Sequence, residues 1–407
     1  MNSDSLNIII IGGGAAGFFG AVSAAETNPH CRVTILEAAR EPLGKVRISG
    51  GGRCNVTHSC FDAGSLVQNY PRGGKALRGA FTRFQARDTV NWFERKGVKL
   101  KTEEDGRMFP ITDNSNTIVY CLLNAAEDAG VKIYTGTSVA SISALSPGFE
   151  INLKAGKTLK TDRLLLATGS NPSGYKWAQE LGHTIEKPVP SLFTFNIKDE
   201  RLQDLAGVSV ANATVRLTDA KLEQTGPVLI THWGLSGPAV LKLSAWGARF
   251  LHDSAYKTTI TINWLPQYKQ EKLREMLLAV KSQLPQRMVS SSCPLPIPRR
   301  LWEKLTVAAE IDENKRWAEV SNKSLNLLIQ ELTGGKYQVT GKGVFKEEFV
   351  TCGGVNLKEI DFKTMESKIQ PGLYFAGEIL DIDGITGGFN FQSAWTTGWL
   401  AGKAISQ

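Results

Sequence analysis

Four consecutive isoleucines, residues 8–11, run from polar Asn7 into a cluster of glycines, a stretch too short for a buried helix. The pattern predicts a buried strand that turns through Gly12-Gly13-Gly14-Ala15-Ala16-Gly17 into a helix reaching about Ala25. Further strands are predicted at residues 32–36, at 164–166 and within 372–378, and a helix from about Gln392 to Ala404. Between Ser191 and about Trp264 the pattern changes to short alternating runs, such as 193–197 and 258–262, with turn residues between them. That alternation predicts a small antiparallel sheet or barrel. From about Gln267 to Thr333 the period is helical. Leu273, Met276, Leu277 and Val280 share one face, as do Leu325, Leu327, Leu328 and Leu332, and Pro294 to Pro298 separates the two stretches. These stripes read as core packing.

The first turn also carries chemistry. Its spacing is GxGxxG: Gly12 permits the tight turn, Gly14 lets a pyrophosphate approach the backbone, and Gly17 lets the helix pack closely on the strand. The amides around Ala15 and Ala16 and the positive end of the helix then face a diphosphate. Glu37 ends the second strand 20 residues after Gly17, where an acid reaches ribose hydroxyls. Strand, glycines, helix, strand and carboxylate in register indicate a bound dinucleotide. FAD and NAD(P) share this turn, and later segments separate them. Ala167-Thr168-Gly169, then Gly377-Glu378 with Asp381, then Gly387-Gly388-Phe389-Asn390 resemble the ATG and G(D/E) motifs of two-dinucleotide-fold flavoproteins. The resemblance implies non-covalent FAD, with an acid on the ribityl chain and the last helix aimed at the isoalloxazine. Asn390 and Gln392 are expected to offer amides to its pyrimidine edge.

Residues 44–55 read Gly-Lys-Val-Arg-Ile-Ser-Gly-Gly-Gly-Arg-Cys-Asn. This K-x-x-x-S-G-G-G-R-C-N segment resembles the signature of the BaiN/YhiN-type flavoproteins, a family of FAD-dependent oxidoreductases. The resemblance continues through residues 104–110 (EDGRMFP), 231–239 (THWGLSGPA), 351–355 (TCGGV), 365–368 (MESK) and 387–392 (GGFNFQ), and so covers nearly the whole chain. One departure is visible: the arginine that often stands in a GRK sequence is missing at Gly44-Lys45. The resemblance places Lys45, Ser49, Gly50, Gly51, Gly52, Arg53 and Asn55 at the cofactor, and Val139 is grouped with them. The expected fold class is α/β: an FAD-binding Rossmann-like domain of glutathione-reductase type, interrupted by a β-barrel-like plus helical insertion. Because flavin motifs occupy both ends, residues 1–190 and 348–407 are assigned to the FAD-binding domain. Residues 191–265 and 334–347 form the antiparallel β insert, and 266–333 the helical insert.

Composition narrows the setting. The 407 residues carry 42% hydrophobic side chains and 40 glycines, and no apolar run is long enough to cross a membrane. Six scattered cysteines lack a CxxC pair, so neither a metal site nor a disulfide framework is expected. With no basic leader in view, the reading is a cytoplasmic protein. Net charge is +8, concentrated between Arg72 and Arg107, where Tyr70, Phe81, Phe84 and Trp92 interleave with the cations. Arg299-Arg300 beside Trp302 and Lys315-Arg316-Trp317 repeat that pairing. Basic residues with aromatics suit phosphates and stacked bases, and equally a solvated helix face.

Three residues are candidates for substrate activation: Cys54, whose thiol a neighbouring Arg53 cation would activate, Arg53 itself, and His232. No Ser/His/Asp triad stands out in the sequence, so hydrolysis lacks support. The family resemblance implies reduction of an activated C=C bond, with NAD(P)H as a transient donor because one dinucleotide fold is present. The substrate is expected to be a uridine of ribosomal RNA, as in a dihydrouridine synthase. The alternatives are a small-molecule enone reductase or amine oxidase, and a non-enzymatic flavin-dependent RNA-binding factor.

Overall fold

The computed structural model describes residues 5–343 and 350–407, and it divides into two compact units. The first comprises residues up to Val189 and from Val350 onward; the second begins at Pro190. The expected boundary between 347 and 348 lies outside the described residues.

The first unit is built on a seven-stranded sheet in the order 360–361, 366–367, 373–375, 163–166, 7–11, 32–36, 132–134. The isoleucine strand, Asn7–Ile11, is its centre and pairs in parallel with Arg32–Leu36 on one side and Arg163–Leu166 on the other. It reads as a continuous apolar run because both faces are covered. Chain order reverses beside this strand, and in such sheets ligands bind outside the carboxyl ends at that switch point. Gly12 to Gly17 stands there.

The helix Ala15–Thr27 and the terminal helix Phe389–Ile405 pack together through glycines rather than side chains. A Cβ on Gly398 would lie 2.6 Å from the Ala16 carbonyl oxygen, and one on Gly402 would lie 2.4 Å from that of Gly20. The helices therefore run in the same direction, and the terminal helix projects a little over two turns, roughly 12 Å, beyond the other's N-terminus.

The second unit contains a closed six-stranded barrel in the order 195–197, 234–236, 222–231, 209–217, 258–263, 335–342. The alternating runs form it: Ile260 and Ile262 point inward, where Trp264 and Tyr337 are sealed. Helices Gln270–Gln283, Arg299–Ala308 and Asn322–Gly334 belong to the same unit. Leu273 and Leu277 are buried, with Met276 and Val280 packed beside them.

One cluster in the first unit was invisible in the sequence. His183 Nδ1 lies 3.0 Å from Glu359 Oε2, and its Nε2 lies 2.9 Å from Ser367 Oγ. His183 lies 176 residues from Glu359 and 184 from Ser367, so spacing cannot reveal the set. Ser367 Oγ also accepts from Ile369 N (3.0 Å) and Gln370 N (2.8 Å), so its lone pairs are occupied and the line is a buried brace. Burial pushes the imidazole pKa below its ordinary value of 6.5, against the opposing pull of Glu359. The unfolded chain then takes up this proton first. Stability from His183 is complete above about pH 6.5 and is lost as pH falls through the depressed folded value. Melting temperature should drop between pH 7 and pH 5, and His183→Gln should flatten that part of the profile. An unchanged profile would rule the brace out as the source.

Candidate dinucleotide site

The glycine turn is shaped by contacts that specify each position differently. A Cβ on Gly12 would lie 2.3 Å from the Ala167 carbonyl oxygen, and φ there is +111°. One on Gly17 would lie 1.9 Å from the Gly12 carbonyl oxygen. Gly14 is the opposite case: nothing stands within 4 Å of its Cβ position. The first two glycines close the turn, and the third leaves open the space that a diphosphate needs. Ala15 and Ala16 begin the helix, whose N-cap Gly14 has no side-chain cap. The amides of that first turn are orphans that an anion can satisfy. Glu37 is fixed at the rim, accepting from Gly13 N (2.6 Å) and Ala39 N (2.7 Å). Thr137 N donates to the Glu37 carbonyl at 2.8 Å, which brings in the segment leading to buried Val139.

The opposite wall comes from the other strands of the switch point. Gly169, with φ +59°, would bring a Cβ 3.8 Å from Glu378 Oε2. Thr168 Oγ1 is buried with no hydrogen-bond partner among the described residues. Gly377 passes close to Ala16, where its Cβ would lie 2.8 Å away. Glu378 is paired with Lys45, which also reaches Ser170 Oγ at 3.3 Å. Glu378 Oε1 accepts from Thr351 N at 3.0 Å, and Asp381 follows on the same segment. These residues fit a dinucleotide: a cradle empty of side chains, uncapped amides, and buried hydroxyls in want of partners.

The signature segment has a particular local form. Helix Gly44–Gly52 breaks at Ser49 (ψ 149°), and Gly50, Gly51 and Gly52 turn left-handed at φ +57°, +68° and +83°. Nothing stands near the Cβ positions of Gly51 and Gly52. The next residues support the N-terminus of the terminal helix one after another. The Asn55 amide accepts from Gly388 N (2.9 Å) and donates to Thr57 O (3.0 Å) when oriented to satisfy both ends. Val56 O accepts from Trp395 Nε1 at 2.9 Å, and Thr57 Oγ1 donates to Gln392 Oε1 at 2.6 Å. The His58 ring stacks on Phe389 at 4.8 Å. Gly388, at φ +90°, would bring a Cβ 2.6 Å from Thr57 O. His58 and Thr57 were missed in the sequence, although they directly follow the signature.

Several expectations are corrected by these contacts. Gln392 is fully buried, and its amide is taken by Thr57, Thr89 and Thr396. The Asn390 amide closes on Gly384, accepting from its N (2.8 Å) and donating to its O (2.9 Å). Both side chains are taken up by contacts within the protein instead of being offered to a flavin edge. Cys54 is 0% exposed and sits at φ +61°. Burial pushes its thiol pKa up to about 12, although a hydrogen bond with Ser49 opposes this. Arg53 does not activate it: its guanidinium lies 2.6 Å from Glu103 and 3.5 Å from Asp113, 4.0 Å above the Phe109 ring. Iodoacetamide at pH 8 should therefore leave Cys54 untouched in the folded protein and alkylate it once unfolded. Peptide mass spectrometry checks this, and modification of the native protein at a free-thiol rate would contradict the burial. His232 is exposed in the hairpin of the barrel, in the second unit, whereas Arg53 and Cys54 belong to the first.

The interleaved aromatics are also corrected. Trp92 is 5% and Trp302 0% exposed, and Tyr70, Phe81 and Phe84 are buried as well, so none offers a face to a base. Part of the charge is internally neutralised: Arg72 by Asp383, Lys96 by Glu26, Lys101 by Asp113, and Arg107 by Glu103 and Asp105. Lys75, Arg78, Arg83, Arg87, Arg95 and Lys99 remain exposed. Among the described residues, no helix is long and apolar enough to cross a membrane.

Comparison with known proteins places this architecture. Residues 6–404 match the family described as HI0933-like protein Rossmann domain. The chain is 31% identical to the "Ribosomal RNA dihydrouridine synthase" of Escherichia coli K12, over 99% of this chain and 98% of that protein. It is 29% identical to the "3-dehydro-bile acid delta(4,6)-reductase" of Clostridium scindens, over 98% of each. Among solved structures, the 3-ketosteroid-delta4-(5alpha)-dehydrogenase of Rhodococcus jostii RHA1 shares the fold, with a TM-score of 0.52 at 14% identity, covering 100% of this chain and 98% of that one.

Proposed function

The chain belongs to the HI0933-like Rossmann family of FAD-dependent oxidoreductases, and from that premise we propose that it reduces the C5=C6 bond of a uridine in ribosomal RNA, drawing electrons from NAD(P)H. The end-to-end likeness to the Escherichia coli protein of that name carries the choice of substrate. Bound FAD would supply the hydride that a double bond conjugated to a carbonyl accepts.

The protein's own contribution is to bind and orient. The open face of Gly14 and the first-turn amides would hold the diphosphate, and Glu37 the adenosine ribose. Lys45, Ser49, the left-handed glycines and Asn55 would line the riboflavin half. The N-terminus of the terminal helix would favour negative charge on a group placed before it. Of the three candidates for substrate activation, Arg53 is held by two carboxylates, Cys54 is sealed from water, and His232 stands exposed on its hairpin.

The exposed cations at 75–99 suit an RNA backbone, but the burial of Trp92, Phe81 and Phe84 among them means that affinity would come from phosphates without stacking on these rings. A second reading, a small conjugated enone, is favoured by the name of the Clostridium scindens relative. Mass spectrometry of ribosomal RNA from cells with and without the protein separates the two. One uridine should gain two hydrogens only when the protein is present. Reversing Arg78, Arg83 and Arg87 to glutamate should abolish that gain and flatten the salt dependence of RNA binding by about 0.7–0.9 in log–log slope per lost phosphate contact. Unmodified RNA in both strains would leave the enone as substrate.

A further inference from the structure

Tyr175 lies on the helix Pro172–Glu180, which follows the Ala167-Thr168-Gly169 turn. The residue is 7% exposed, and its hydroxyl has no hydrogen-bond partner among the described residues. Thr168 Oγ1 on the turn is in the same condition, and the adjoining Gly174 is pressed so close that a Cβ there would lie 1.9 Å from that oxygen. Folded proteins keep few buried hydroxyls unpaired, because burial strips them of water without a replacement. Two such hydroxyls beside the turn, from adjoining elements, call for a polar group that the described residues do not themselves supply.

The surrounding charge says what kind of group. Burial holds the Tyr175 phenol in its neutral form, and the nearby carboxylates of Glu378 and Asp381 reinforce this. Lys45, the cation here, is already paired with Glu378, and carboxylate oxygens cannot donate to a phosphate. They accept hydrogen bonds from hydroxyls, and the phenol can donate to one. The diphosphate has its own place before Gly14, and the adenosine ribose has Glu37 on the far side of the central strand. The remaining uncharged, hydroxyl-bearing part of the dinucleotide is the ribityl chain.

Building on the FAD reading above, we propose that Tyr175 is a flavin ligand, its phenol hydroxyl bonding the ribityl chain while Glu378 and Asp381 accept from neighbouring ribityl hydroxyls. Thr168 Oγ1 is the second protein hydroxyl available to the same chain. Tyr175 was passed over in the sequence because it lies in a helix beyond the recognised turn, and a tyrosine at a buried helical position reads as core.

Tyr175→Phe removes one oxygen and keeps the ring, so the fold should survive. The full-length wild type and this variant are titrated with FAD by flavin fluorescence, with ADP as a competitor, and melted with and without FAD. FAD affinity should fall about 2–10-fold in the variant, the scale of one net hydrogen bond. ADP affinity should stay unchanged, because ADP lacks the ribityl chain. The FAD-free variant should melt at or above the wild-type temperature, since an unsatisfied buried hydroxyl has been removed. Equal FAD affinity, an equal loss for ADP, or a lower FAD-free melting temperature would each overturn the assignment; the last would reveal a protein partner for the phenol. A wild type that takes up no FAD would instead bring down the flavin reading, and this assignment with it.

Discussion

Gly17→Ala should leave little soluble folded protein, whereas Gly14→Val should fold and come out colourless. The two glycines stand three residues apart in one motif, yet their surroundings are opposite. A methyl on Gly17 would sit 1.9 Å from the Gly12 carbonyl oxygen, so the first helical turn would have to lift off the central strand. Overpacking ordinarily costs about 1–3 kcal/mol and more where backbone must move. That is a large share of a total stability of about 5–15 kcal/mol. Gly14 has φ −95° and ψ −170°, extended backbone that valine adopts readily, and open space in front of it. The valine would fill only the place of the diphosphate. Circular-dichroism melts and visible flavin absorbance of the two variants decide the matter. A yellow Gly14→Val protein would mean that the dinucleotide lies elsewhere.

The second large effect concerns Arg72 and Asp383. Asp383 is 0% exposed, and its two carboxylate oxygens receive Nε and Nη2 of Arg72 in a paired geometry. Backbone pairing between the same residues joins the loop before helix Gly74–Phe81 to the segment that enters the terminal helix. Arg72→Ala would leave a buried carboxylate without its arginine, which typically costs about 3–5 kcal/mol. Replacing both residues together, Arg72→Met with Asp383→Leu, should cost much less, because no charge is left behind. Chemical denaturation of the single and double variants measures the difference. Equal losses would show that the pair matters through shape alone.

Much of the backbone plan was legible. Ile8 to Ile11, the GxGxxG turn and Glu37 carry their meaning in local spacing, and the period change at Ser191 marks where the barrel's alternation begins. Side-chain partners were far less legible. Nothing near Gln392 in the sequence indicates that Thr57 and Thr89 occupy its amide, because those partners lie about three hundred residues away. Cys54 looked activated because Arg53 precedes it, but adjacent side chains diverge, and Arg53 turned to Glu103 and Asp113. The tryptophans near the cations looked available for stacking because interleaving along a chain does not say which face is sealed. Helical register did contain that signal: Thr89, Trp92 and Phe93 fall on one face of the helix Ala86–Arg95, which is the face that packs inward.

The backbone-close pairing of the first and last helices also governs how the chain must fold. Residues 15–27 form an almost wholly apolar helix whose partner surface is residues 389–405, so its burial waits on closure of a loop spanning most of the chain. Contacts of such sequence separation slow folding, because loop entropy is lost before the contacts form. During synthesis the early apolar helix remains without its partner until residues 389–405 emerge. The interval before residues 389–405 are made, rather than any weakness in the finished structure, is then where the unpaired apolar helix is exposed to aggregation.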